Sequence, residues 1–94
     1  MEVSFIADHE LETKILAWFA KHGYVCTEIG LATKPKSRHF HVKKTKEKGT
    51  LELTVTPSDN PKLTEYEFVM RSNRYSAWGL ETFDVLCQKF DLIA

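Results

Sequence analysis

Residues 39–56 read HFHVKKTKEKGTLELTVT. Apolar and polar side chains alternate on either side of a charged turn. Phe40 and Val42 oppose His39, His41 and Lys43, while Leu51, Leu53 and Val55 oppose Glu52, Thr54 and Thr56. A period of two is that of a strand with one buried face, so the stretch predicts a β-hairpin closed by residues 45–49. Residues 65–71 repeat the pattern, with Tyr66, Phe68 and Met70 facing in and Glu65, Glu67 and Arg71 facing out. Between them PSDNP, residues 57–61, has the composition of a turn. Residues 24–29 are rich in β-branched and aromatic side chains and predict a further strand.

Helical spacing appears on both flanks. Leu11, Ile15, Trp18, Phe19 and His22 form one stripe. Asp8 stands as the N-cap, Glu10 and Glu12 lie in the first turn, and Gly23 stands where a left-handed terminating residue is wanted. A second helix is predicted over residues 76–90, capped by Ser76 and packed through Leu80, Phe83, Leu86, Cys87 and Phe90. Residues 2–6, EVSFI, read as a short extended lead-in. The expected fold is one α+β domain over residues 1–94: helix, three to four strands in an antiparallel meander, helix. Both helices should cover one face of the sheet.

The chain has 94 residues and a net charge of zero, which conceals an asymmetry. Seven of its thirteen basic side chains lie in residues 34–48, KPKSRHFHVKKTKEK, beside one acid, Glu47. The remainder carries six basic and twelve acidic residues, so a +6 segment sits on a −6 body. Such asymmetry argues for an anionic partner rather than for any fold. No apolar run approaches membrane-span length and no signal peptide is apparent, so a cytoplasmic protein without membrane contact is expected. Cys26 and Cys87 fit no metal-finger or C-x-x-C spacing and read as small buried thiols in a reducing compartment.

The candidate anion or nucleic-acid site is Lys34, Lys36, Arg38, His39, His41, Lys43, Lys44, Lys46 and Lys48. Cations around a mobile turn suit phosphate contact. Arg71 and Arg74 are candidate helpers near the start of the second helix, beside Tyr75 and Trp78. The outward strand positions carry no run of aromatics, which argues against a base-stacking platform. Their mixed charges suggest cross-strand pairs, Lys43 with Glu52 or Glu52 with Arg71.

His39 and His41, two apart on a strand, share a face, and that spacing suits zinc. Glu52 or Glu67 supplies a third ligand only if the strands are neighbours. The H-x-H pair alone does not establish a metal, and no cofactor is expected. A histidine flanked by Arg38 and Lys43 also suits a general base at a phosphodiester, with the Ser37 hydroxyl nearby but no orienting acid adjacent.

The element order resembles that of a double-stranded-RNA-binding domain. That family grips phosphates with lysines clustered at the start of helix 2; here the helix opens with Trp78, Glu81 and Asp84, so that contact does not carry over. The stretch from Leu11 through Gly23 to His39 resembles HicA-type toxins, small RNA-cleaving proteins with a Gly-Ser-His segment. This chain has Lys36-Ser37-Arg38-His39 instead, and an extra strand over residues 65–71. Neither resemblance assigns a family. The function expected is non-enzymatic binding of nucleic acid or an acidic protein through the basic hairpin. The alternatives are a protein-interaction module, including a homodimer, and a small His-dependent RNase.

Overall fold

The computed structural model describes residues 1–30, 33, 35–71 and 74–92. In chain order the elements are β1 (Glu2–Asp8), α1 (Leu11–Lys21), β2 (Tyr24–Ile29), β3 (Arg38–Lys44), β4 (Leu51–Pro57), β5 (Leu63–Val69) and α2 (Ser76–Phe90). The predicted hairpin is β3 and β4, with Phe40 opposite Leu53 and Val42 opposite Leu51. β2 to β5 form the expected antiparallel meander.

The strand number and the element order differ from expectation. Among the described residues the sheet has five strands, in the order β1-β5-β4-β3-β2. The chain also begins with a strand, so the order is strand, helix, four strands, helix rather than helix first. The segment read as a lead-in is β1, paired antiparallel with β5 so that Val3 faces Phe68 and Phe5 faces Tyr66. Its apolar alternation is blurred by Ile6, which points outward and is 55% exposed. Its partner lies about sixty residues away, so no turn between neighbours signals the pairing.

Asp8 is not the cap of α1. It ends β1, and its carboxylate accepts the Glu10 N–H at 2.8 Å, while the helix begins at Leu11. At the other end Gly23 does take the left-handed conformation, with φ +81°. In α2 the buried side is Trp78, Gly79, Thr82, Phe83 and Leu86, and Leu80 is 47% exposed. Each helical step turns about 100°, so seating Trp78 and Phe83 against the sheet rotates Leu80 outward.

One hydrophobic cluster joins the inward residues of β1, β3, β4 and β5 to Leu11, Ile15 and Phe19 of α1 and Trp78, Phe83 and Leu86 of α2. Both helices therefore cover the same face, as one-sided alternation requires. Cys26 and Cys87 are free thiols, and burial raises the pKa of both. Among the described residues no helix is long and apolar enough to cross a membrane.

Tyr66 is a fully buried member of this cluster, and its hydroxyl donates to the Asp8 carbonyl at 2.7 Å. Burial lifts its ionisation from 10.0 to about 12. A folded-state pKa above the unfolded one means that the stability from this group is complete below pH 10. It is lost as pH rises from 10 through about 12, because only the unfolded chain then ionises. Urea unfolding across that range should show the decline, and Tyr66→Phe should flatten it. At neutral pH Tyr66→Phe should cost ~1 kcal/mol for the lost hydrogen bond. An alkaline decline of equal size in the variant would assign it to other groups.

Candidate functional site

The +6 segment does not form one patch. β3 carries Arg38 at its start and Lys44 at its end, roughly 20 Å apart at about 3.3 Å per residue. Lys36 is exposed near the first end, and Lys34 lies outside the described residues. Arg38 is already engaged on the helix side of the sheet. Its Nη2 and Nε donate to Glu28 at 3.0 and 3.2 Å, and its Nη1 donates to Glu12. The guanidinium lies 5.1 Å from the centre of the Phe40 ring. Its hydrogen bond holds the Glu28 carboxyl below the usual carboxylate range.

The opposite end carries Lys43 and Lys44 and the turn lysines Lys46 and Lys48, and Arg74 adjoins it in the chain next to Tyr75, which packs against Gly49 of the turn. The turn is held from two sides. Trp78 Nε1–H donates to the Lys48 carbonyl at 2.7 Å, and the Thr45 hydroxyl donates to the Gly23 carbonyl at 2.7 Å. The hairpin tip thus sits between the start of α2 and the end of α1. Trp78 packs the helix onto the sheet rather than standing free as a recognition residue. Among the described residues, none of these five cations has an ion-pair partner. Arg71 differs: its Nε donates to Glu52 Oε2 at 2.9 Å, although the side chain remains 79% exposed.

A second basic feature escaped the sequence reading. Lys14, Lys21, His22 and Lys89 line a groove of about 320 Å³ with Trp18 and Phe90. The seven-residue spacing of Lys14 and Lys21 on one helix offered a signal; nothing local tied Lys89 to them. Lys21 and His22 lie beside the hairpin tip because Thr45 bonds to Gly23.

Gly49 shapes the tip. Its φ is +94°, and a Cβ there would lie 2.7 Å from Met70 Cε and 3.0 Å from Tyr75 Cβ. Gly49→Ala should therefore cost about 1–3 kcal/mol, from the left-handed strain and the clash together. Chemical denaturation measures this, and a loss under about 0.5 kcal/mol would show that the turn relaxes freely.

The open face of the sheet holds the histidines. One cross-strand row is Thr27, His41, Glu52 and Val69; the next is Ile29, His39, Thr54 and Glu67. The expected Glu52–Arg71 pair forms. The Lys43–Glu52 pair does not, because Glu52 lies opposite His41 and Lys43 lies opposite Val25. His39 is not an ordinary surface residue: it is 7% exposed. Its Nδ1 lies 2.8 Å from Thr54 Oγ1 and its Nε2 3.2 Å from Glu52 Oε1. The ring centres of His39 and His41 are 5.2 Å apart. His39, Glu52, Thr54, Glu67, Arg71 and Thr33 line a cavity of about 200 Å³. His39, His41 and Glu52 each offer a ligand atom, all within 4.8 Å of one another. Glu52 is thus the acid that the local sequence lacked. Arg38, read as a neighbour of the histidine site, lies on the other face of the sheet.

The class defined by this architecture is an α+β domain which, among the described residues, has an open five-stranded antiparallel sheet and two helices on one face. No protein-family model matches the chain, and comparison with curated proteins and with solved structures finds no match.

Proposed function

We propose that this domain binds nucleic acid, contacting phosphates through Lys43, Lys44, Lys46 and Lys48 with Arg74 beside them. The observation that carries the reading is the division of the cations. Arg38 and Arg71 have carboxylate partners, whereas the five at the hairpin end have none among the described residues. Like charges held together raise the energy of the free domain, and a polyanion relieves that repulsion. The lysines are closely spaced along the turn, and Lys43, Lys46 and Lys48 are exposed, which suits the repeated charges of a phosphate backbone. Lys21 and Lys14 extend the basic surface along α1 away from the tip. Arg38 has no part in this contact, and Lys36 lies at the far end of β3.

Fluorescence anisotropy with labelled single- and double-stranded RNA and DNA, at low and near-physiological salt, tests the reading. Affinity that falls steeply with salt supports it; no binding at low salt overturns it and directs the search to an acidic protein. A second reading is a homodimer. β1 and β2 are the sheet edges, and each carries an exposed apolar residue toward the open face, Ile6 at 55% and Val25 at 61%. Exposed edges are templates for pairing. A dimer in sedimentation that ignores nucleic acid favours this second reading.

A further inference from the structure

We propose that His39, His41 and Glu52 form a site for one divalent transition-metal ion, zinc first among them, on the open face of the sheet. The proposal is independent of the nucleic-acid reading. Two imidazoles and one carboxylate form a borderline donor set, which suits zinc and its first-row neighbours rather than magnesium or calcium.

The geometry is close to that of a ligand shell. Metal–ligand distances of about 2.0–2.2 Å at tetrahedral angles place neighbouring ligand atoms ~3.4 Å apart. His39 Nε2 and Glu52 Oε1 are 3.2 Å apart. All three ligand atoms fall within 4.8 Å, so a small rotation of His41 closes the set. The ligands stand on adjacent strands, with His41 directly opposite Glu52, so the sheet sets their spacing.

Each of two ligands is also held from behind. Thr54 Oγ1 contacts His39 Nδ1 and leaves Nε2 turned toward Glu52. Arg71 holds Glu52 through Oε2 and leaves Oε1 turned toward His39. Metal ligands oriented by such outer partners are a recurrent design. The burial of His39 points the same way, since the other face of a one-sided sheet normally presents its histidines to water. Three protein ligands leave one position of a tetrahedral ion open. The adjoining cavity of about 200 Å³ gives room there for water or an anionic ligand, with Arg71 on its wall.

The test is titration of the whole chain with Co²⁺, read by visible absorption, followed by displacement with Zn²⁺ against a chromophoric chelator. One equivalent of Co²⁺ should bind with the intense bands of a low-coordinate ion, and Zn²⁺ should displace it with micromolar or tighter affinity. His41→Ala removes a half-buried ring and leaves the His39 contacts with Thr54 and Glu52 in place. It should weaken metal binding at least about tenfold while leaving the circular dichroism spectrum unchanged. Glu52→Gln should weaken it as well. Absence of the cobalt bands, or His41→Ala binding like the parent chain, overturns the proposal. The latter result would place the metal at another histidine, such as His9 or His22.

Discussion

Replacing Lys43, Lys44, Lys46 and Lys48 together with alanine is expected to weaken nucleic-acid binding by about 10²–10³-fold near 0.1 M salt. Counterion release sets the size of this loss. Each phosphate neutralised contributes about 0.7 to the salt slope on a single strand and about 0.9 on B-form DNA. Four lost contacts should therefore flatten the slope by roughly 3. The fold should survive, because Lys43, Lys46 and Lys48 are exposed. The Lys48 carbonyl that accepts from Trp78 is unaffected by the substitution. Arg38→Ala serves as the internal contrast. It removes a cation of the same segment whose guanidinium is engaged with Glu12 and Glu28 at the other end of β3, so binding should change little. Anisotropy titrations at several salt concentrations decide the matter. An unchanged slope in the fourfold variant, or an equal loss in Arg38→Ala, would remove the hairpin tip as the phosphate site.

Phe68→Ala should produce the largest loss of stability among simple substitutions, about 3–5 kcal/mol. Phe68 is fully buried in the strand that joins β1 to the rest of the sheet, with Val3 opposite on one side and Leu53 on the other. Its ring lies 6.3 Å from Phe5 and 5.4 Å from Phe83, so one side chain ties β1, β5 and α2 together. The cost combines lost burial with the cavity left behind. A domain of this size has roughly 5–15 kcal/mol in total, so the variant should be close to the limit of folding. Urea denaturation should show a much lower midpoint with an unchanged slope. Phe68→Leu should lose markedly less. A deficit below ~1 kcal/mol for the alanine variant would mean that the five-stranded core is not assembled around this residue.

Much of this architecture was legible in the chain because it rests on short-range periodicity. The alternation through Leu51, Leu53 and Val55 and through Tyr66, Phe68 and Met70 sets which side chains face the helices, and the structure keeps those faces. The helical stripe through Leu11, Ile15 and Phe19 is of the same kind, as is the left-handed Gly23 that ends α1. The candidate site was less legible. The sequence placed His39 and His41 on one face, but whether Glu52 or Glu67 stands beside them depends on register, which no local pattern states.

Local periods record which side chains must leave water, and they specify an α+β chain with a one-sided antiparallel sheet. The pairing of β1 with β5, the burial of His39 beside Glu52 and the division of the basic segment arise only in the folded molecule. It engages Arg38 with carboxylates and leaves the hairpin lysines without partners among the described residues. Those outcomes depend on contacts between residues far apart in the chain, where strand order and register, rather than any neighbouring residue, set the distances between charges.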